Sequence, residues 1–129
     1  MMLTADDIVT ASGKFPARAM LADAIILMHC KDLATRLNRL MTSFGASRAL
    51  TSGFRDSKTN ARVGGAAHSA HLEGKAADIE DKDGRLAIFC LTHESLLATL
   101  GLWMENPLHT TGWVHVQSRP VPGARIFLP

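Results

Sequence analysis

Residues 69–78 have the sequence Ser69-Ala70-His71-Leu72-Glu73-Gly74-Lys75-Ala76-Ala77-Asp78. His71 and Asp78 are seven positions apart, whereas neighbours on one face of a helix lie three or four positions apart. The spacing favours a loop that carries His71, a turn at Gly74 and a strand that carries Asp78. Small apolar and polar residues alternate from Ala76 to Ile79, as they do in a short, half-buried strand.

A second short segment is also predicted to be a strand, because it alternates in the same way and contains β-branched residues. Its sequence is Trp113-Val114-His115-Val116-Gln117. Side chains repeat every two residues along a strand, so Trp113, His115 and Gln117 should share one face. Val114 and Val116 should point the opposite way, into the core. An imidazole next to an indole on one strand face indicates a cleft.

Together the two segments supply two imidazoles and one carboxylate, from His71, His115 and Asp78. Catalytic zinc sites have three such protein ligands and keep a fourth position open for water, whereas structural zinc sites use four ligands that are mostly Cys. Similar sets of ligands also hold iron(II) in oxygenases. Nothing else in the sequence suggests an oxygenase, so we expect one zinc ion per chain and a hydrolase.

The whole sequence predicts an α+β fold with a small, mostly antiparallel sheet packed against two main helices, because helices and strands are mixed without regular βαβ alternation. Predicted helices cover residues 4–11, with an N-cap at Thr4, residues 21–44 and residues 85–100. Predicted strands cover residues 48–54, 76–80, 102–105, 113–117 and 124–128. Residues 56–70 are expected to form a loop because they are rich in Gly, Asn and Ser. The segment Ser12-Gly13-Lys14-Phe15-Pro16 should end the first helix.

Length and composition predict one globular domain over residues 1–129, with residues 1–16 as an N-terminal helix and lead-in. The net charge of +2 gives no strong field for nucleic acid. No stretch approaches the roughly 20 apolar residues that span a bilayer. The N-terminus does not resemble a secretion signal, so we expect synthesis in the cytoplasm and no membrane insertion. Cys30 and Cys90 lie in apolar, helix-like surroundings, which favours buried thiols over a disulfide.

Four motifs follow one another in the order Ser52-Gly53-Phe54-Arg55, Asn60-Ala61-Arg62-Val63-Gly64-Gly65-Ala66, Ser69-x-His71-x-x-Gly74-x-Ala76-x-Asp78-Ile79 and Trp113-Val114-His115. Together they resemble the zinc D-Ala-D-Ala carboxypeptidase and dipeptidase family, peptidase family M15. A looser similarity to small phage-encoded members covers nearly the whole chain. That family includes endolysins that cut the stem peptides of peptidoglycan, and the Hedgehog signalling domain shares its fold. The resemblance implies a Hedgehog-like fold, a zinc cofactor and a peptidoglycan stem peptide as substrate.

The resemblance also implies roles for single side chains. The residues that match the zinc ligands of the family are His71, Asp78 and His115. Arg55 matches an arginine that holds substrate near the scissile bond, with a surface salt bridge as the alternative. Ser69 matches a serine beside the first ligand, which either binds substrate or shapes the loop. Trp113, on the face of the last ligand, is assigned to substrate binding.

Two residues are candidates for the general base. In the dipeptidase branch this base is a Glu three residues before the last zinc histidine, and here that position is Gly112, which cannot transfer a proton. Other branches place a His or a Glu five or six residues before the ligand. His109 lies six positions before His115, and an imidazole is a suitable base at about pH 7. Glu105 is the carboxylate alternative.

Gly112 also motivates two alternatives to a peptidase. One is a catalytically impaired module that binds zinc and cell-wall peptide without turnover, and the other is a phage structural part that uses the fold as an adaptor. A peptidase without its own signal would act on the cell wall if another factor, such as a phage holin, delivered it. We expect a monomer. Three histidines outside the motif are expected to be surface or structural residues: His29, His68 and His93.

Overall fold

The computed structural model describes residues 2–12 and 21–129, and it describes side chains for all of these except residues 21–23. Within these ranges the strands are β1 (Leu50–Ser52), β2 (Ala76–Glu80), β3 (Trp103–Glu105), β4 (Trp113–Gln117) and β5 (Ile126–Phe127). They form one sheet in the order β1-β2-β4-β3-β5. Neighbouring strands are antiparallel except β3 and β5, which are parallel. The predicted α+β class with a mostly antiparallel sheet is confirmed.

The same described residues also form helices and short 3-10 turns. The helices are α1 (Ala5–Thr10), α2 (Leu21–Phe44), α3 (Ser57–Arg62), α4 (Arg85–Thr92) and α5 (Glu94–Leu100), with 3-10 turns at Ala70–Glu73 and Pro107–His109. Helix α2 has the predicted bounds and packs against α1 and α5. Thr4 caps α1 as predicted, because Thr4 and Asp7 each accept a hydrogen bond from the backbone N–H of the other.

The single helix predicted over residues 85–100 is wrong, because two helices meet at His93. This residue has φ of −130° and ψ of 44°, outside the helical region. Its ring stacks on Phe89 at a centroid distance of 4.1 Å, and its Nδ1 lies 2.8 Å from the Phe89 carbonyl oxygen. The side chain thus contacts the backbone at the end of α4. The apolar pattern continues across the break, so the pattern alone does not reveal it.

The loop predicted over residues 56–70 is wrong in part, because it contains α3. Asp56 caps this helix, and its carboxylate accepts a 2.7 Å hydrogen bond from the Thr59 N–H. The Gly- and Ser-rich composition of the segment favoured a loop, so this cap was not predicted.

The strands at residues 50–52 and 126–127 are shorter than predicted. The predicted break at Ser12-Gly13-Lys14-Phe15-Pro16 lies outside the described residues, apart from Ser12.

One apolar cluster joins the helices to the sheet. Val114 and Val116 of β4 are fully buried in it, as predicted from the alternation of that strand. The buried face of α2 contributes Leu33, Ala34, Leu37, Leu40 and Met41. Cys30 and Cys90 are free and buried in the same cluster, which confirms the predicted thiols. Burial raises the pKa of each thiol to about 12.

Gly53 links the N-terminal helix to the loop that carries His71. The Phe54 N–H donates a 2.8 Å hydrogen bond to the Ile8 carbonyl oxygen, and a Cβ on Gly53 would overlap that same oxygen. The Gly53 carbonyl oxygen accepts a 2.6 Å hydrogen bond from Nδ1 of His71. The close approach of α1 therefore requires a residue without a side chain at this position.

We expect Gly53→Ala to destabilise the protein by about 1–3 kcal/mol, because the added methyl group must push Ile8 away from the sheet. Urea denaturation followed by circular dichroism measures this free energy of unfolding. Thr10→Ala is the control, since Thr10 is exposed on the same helix and its loss should cost less than about 0.5 kcal/mol. Equal stability of Gly53→Ala and the parent protein would contradict the close contact.

Candidate metal centre

The three predicted ligand residues come together where β2 pairs with β4. Asp78 lies in the middle of β2, and its register partner in the antiparallel pair is His115 of β4. His71 lies in the 3-10 turn that precedes β2. One possible ligand atom from each residue lies within 4.8 Å of the others, and the residues are only 3%, 5% and 8% exposed for His71, Asp78 and His115. We call these residues the His-Asp-His cluster.

The turn at Gly74 delivers His71 to this position. Gly74 has φ of 72°, a left-handed conformation that favours glycine. The turn also packs closely on α2, because a Cβ at Gly74 would lie 2.8 Å from Sγ of Cys30. The chain reverses here and continues into β2. A turn residue and a strand residue seven positions apart thus face one point, as the spacing predicted.

The Asp78 carboxylate contacts both imidazoles of the cluster and also the guanidinium of Arg55, which lies outside it. Its Oδ1 lies 2.9 Å from Nδ1 of His115 and 3.2 Å from Nε2 of His71. Its Oδ2 accepts a 3.2 Å hydrogen bond from Nη2 of Arg55. Two imidazole nitrogens and one carboxylate oxygen therefore converge, and this is the donor set of a catalytic zinc site.

The far nitrogen of each imidazole is also held. Nδ1 of His71 donates to the Gly53 carbonyl oxygen, and Nε2 of His115 lies 2.7 Å from Oε1 of Gln117. Metal-binding histidines usually donate their second N–H in this way. The residues therefore fit a metal ion. The sequence placed Gln117 on the correct strand face but gave it no role, and the period-two alternation was the one available signal.

The cluster shifts the pKa of two of its members. Burial raises the pKa of the Asp78 carboxyl, but hydrogen bonds from His115 and His71 and the charges of both imidazoles lower it, and its net pKa lies below the usual range. Burial lowers the pKa of His115, whereas the hydrogen bond and charge of Asp78, with further contributions from Gln117 and Glu105, raise it. The net shift of the His115 pKa is upward. The site therefore presents an ionised carboxylate that attracts cations.

Arg55 is turned inward onto Asp78. Its side chain is 14% exposed. Nε donates to Oγ of Ser52 at 3.0 Å, Nη1 contacts Oδ1 of Asn60 at 3.4 Å, and Nη2 donates to Asp78. These contacts account for three of the five N–H groups of a guanidinium. The ion pair is therefore a buried one inside the site, and not the surface salt bridge considered from the sequence.

A cleft of about 300 Å³ opens beside Asp78. Arg55 and Trp113 also line it, so a cation and a half-buried indole border the same space as the carboxylate. The rest of the lining is small or hydroxyl-bearing: Ala11, Ser12, Thr51, Ser52, Thr59 and Val63. The cleft adjoins the His-Asp-His cluster at Asp78, and its volume is at the lower end of the range of ligand pockets.

The structure places the other predicted site residues at three different locations. Oγ of Ser69 accepts a 3.2 Å hydrogen bond from the His71 N–H, so this serine shapes the turn. Glu105 ends β3, and its charge contributes to the raised pKa of His115. His109 is exposed at the end of the second 3-10 turn.

The remaining histidines have structural surroundings. Nδ1 of His29 lies 2.7 Å from the Glu73 carbonyl oxygen, which supports the turn that carries His71. His68 is exposed, and its carbonyl oxygen accepts a hydrogen bond from Arg119. Among the described residues, the His-Asp-His cluster is the one group of three or more His, Cys, Asp or Glu side chains close enough to hold a metal ion.

These features define an α+β protein with a buried site that can hold one metal ion through a hydrolase-type donor set. The family profile described as Peptidase M15 matches residues 3–117. This match covers most of the chain, so the chain belongs to the peptidase M15 family, whose members are typically metal-dependent. Searches of curated proteins and of solved structures found no significant match. In the described ranges, no helix combines the length and apolar character needed to cross a bilayer.

Metal affinity should fall in mildly acidic solution, because a metal ion must displace the proton of His115. The pKa of His115 is raised above the ordinary imidazole value of about 6.5, so protons compete with the metal from a higher pH than usual. The ionised Asp78 adds no such competition, since its pKa is lowered. Chelator competition between about pH 5 and about pH 9 measures the effect. If the metal affinity begins to fall only at or below about pH 6.5, the raised pKa of His115 is contradicted. His68→Gln is the matched control, which should show the same dependence of affinity on pH as the parent.

Proposed function

We propose that this protein is a zinc peptidase that cleaves peptidoglycan stem peptides, as a D-Ala-D-Ala carboxypeptidase or an L-Ala–D-Glu endopeptidase. The buried His-Asp-His cluster beside a cleft, in a chain of the peptidase M15 family, is the observation that carries this proposal. Such a reaction needs a group that polarises the scissile carbonyl, a general base and groups that orient the peptide. The site has a candidate for each of these roles.

One zinc ion per chain is the cofactor that best matches the donor atoms. His71 would bind it through Nε2, Asp78 through Oδ1 and His115 through Nδ1, because these atoms face one another. Three protein ligands leave a position open for water or substrate. Held by these three residues, zinc would polarise a carbonyl group and lower the pKa of water to about 7.

Arg55 and Trp113 are the proposed substrate-binding residues. Both line the cleft, and Arg55 is held by Asp78 with its position fixed. A guanidinium binds carboxylate and carbonyl oxygens well, and stem peptides offer both. The small hydroxyl and apolar lining suits alanyl side chains. Ser69, whose Oγ accepts a hydrogen bond from the His71 N–H, would donate its own O–H to the peptide backbone.

Glu105 is proposed as the general base in preference to His109. Strand β3 pairs Trp103 with Gln117 and Met104 with Val116, and one further step of this antiparallel register would bring Glu105 opposite His115. Residues directly opposite in an antiparallel pair share one face of the sheet. The charge of Glu105 is also felt by His115. A carboxylate there can take a proton from water and return it to the leaving amine.

A second candidate function has one observation in its favour. Gly112 has φ of 89° and no side chain, at the position where the dipeptidase branch has its base. A catalytically impaired module that binds zinc and cell-wall peptide, or a phage structural part, would need no base. For either function we propose that residues 1–129 form a single domain and that the protein is a monomer.

Digestion of purified sacculi tests the peptidase. The zinc-loaded parent should release D-Ala or generate new L-Ala termini, detected by mass spectrometry, and should contain about one zinc per chain. His71→Ala and His115→Ala should lose both zinc and product, because each removes a ligand. His68→Ala, in the same segment, is the matched control that should keep both. A parent that binds zinc and gives neither product would favour the binding module.

The choice of base has its own test. Glu105→Gln should lower kcat by about 10²- to 10⁴-fold, the usual contribution of a general base, while zinc content stays at the parental level. His109→Gln should leave kcat close to that of the parent. Steady-state kinetics with a synthetic stem peptide measures both variants. The opposite pattern would identify His109 as the base.

A further inference from the structure

Gln117 is a buried polar residue without a part in the chemistry proposed above. It is 4% exposed and lies on the same face of β4 as His115. Its Oε1 is 2.7 Å from Nε2 of His115, the nitrogen that does not face Asp78. The orientation of this carboxamide therefore determines which hydrogen bond the imidazole can make.

The other end of the carboxamide fixes that orientation. Nε2 of Gln117 donates a 2.9 Å hydrogen bond to the main-chain carbonyl oxygen of Arg119. A carbonyl oxygen can only accept a hydrogen bond, so the amide nitrogen must face Arg119 and the amide oxygen must face His115. A flipped carboxamide would place two oxygen atoms against each other.

Arg119 is itself anchored to the segment that carries His71. One guanidinium nitrogen contacts Oε2 of Glu73 at 2.6 Å, and the other donates to the His68 carbonyl oxygen at 2.8 Å. The residue whose carbonyl group orients Gln117 is thus bonded to the segment that carries His71. Gln117 itself contacts His115.

This orientation selects one tautomer of His115. Because Oε1 of Gln117 accepts a hydrogen bond, the hydrogen of the neutral imidazole must be on Nε2. The protonated ring also carries a hydrogen on Nδ1, which it donates to Asp78 at 2.9 Å. When a metal ion displaces that hydrogen, the lone pair of Nδ1 is directed at the point shared with Asp78 and His71. A neutral histidine binds a metal ion through the nitrogen that carries no hydrogen. The other tautomer would place a hydrogen where the metal ion has to bind.

We propose that Gln117 is a positioning residue, which fixes the Nε2–H tautomer and the ring orientation of His115 so that Nδ1 is the metal ligand. This inference rests on the proposed metal site. Gln117 acts through His115 and has no contact with metal or substrate in this role. Through Arg119 it also makes the placement of β4 depend on the turn that carries His71.

The test compares zinc dissociation constants of full-length variants by chelator competition. Gln117→Met keeps the length of the side chain but removes the acceptor, so zinc affinity should fall about 10- to 100-fold. Gln117→Glu keeps an oxygen that accepts from Nε2 but loses the hydrogen bond to the Arg119 carbonyl, so its zinc affinity should lie between those of Gln117→Met and the parent. Partial rescue by Glu, but not by Met, separates hydrogen bonding from packing.

Asn38→Leu is the matched control. Asn38 on α2 is another carboxamide with both ends bonded, at 2.7 Å to the Leu3 N–H and 2.9 Å to the Leu3 carbonyl oxygen. Its replacement should lower the melting temperature and leave zinc affinity unchanged. The inference is overturned if Asn38→Leu weakens zinc binding as much as Gln117→Met does, or if Gln117→Met and Gln117→Glu weaken it equally.

Long-range ¹H–¹⁵N spectra of the zinc-loaded protein report the tautomer directly. The parent should show the hydrogen of His115 on Nε2, and a hydrogen on Nδ1 would overturn the inference. A parent that binds zinc no better than Gln117→Met overturns this inference alone. A parent that binds no zinc at all overturns the proposed function and this inference together.

Discussion

The placement of the Asp78 carboxylate opposite His115 is the constraint on which the site depends. A buried carboxylate keeps its charge only where hydrogen bonds and opposite charges replace water. Here both oxygens have such partners, two imidazoles on one side and the guanidinium of Arg55 on the other. Because β2 and β4 pair in register at this point, the backbone ladder of the sheet positions the carboxylate.

Each member of the cluster is held from behind by a different kind of group. A backbone carbonyl holds His71, a guanidinium holds Asp78, and a carboxamide contacts His115. The carbonyl position follows from the chain path near α1, whereas the guanidinium and the carboxamide each depend on a further partner. The geometry of the cluster therefore depends on α1, on the loop after β1 and on the segment after β4, as well as on the two central strands.

Local patterns in the sequence were sufficient to predict α2 and β4, because apolar periodicity is strong in both. Strand β2, whose first four residues are all buried, was located by the turn at Gly74 that precedes it. The spacing of His71 and Asp78, with Gly74 between them, was sufficient to predict that a turn brings these two residues together. The break at His93 was not predictable in this way, since it depends on a side chain bonded to the backbone of its own helix. The contact between Gln117 and His115 was also hidden. It depends on the Arg119 carbonyl, which is anchored by a contact to Glu73 across 46 residues of sequence.

The two buried thiols have a practical consequence for work with this protein. With pKa values of about 12, Cys30 and Cys90 exist almost entirely in the protonated form near neutrality. Only the deprotonated sulfur attacks disulfides and alkylating agents, so both side chains should be inert in air. Buffers can therefore omit dithiothreitol and related reductants, whose sulfur atoms would themselves sequester soft divalent ions and distort every titration.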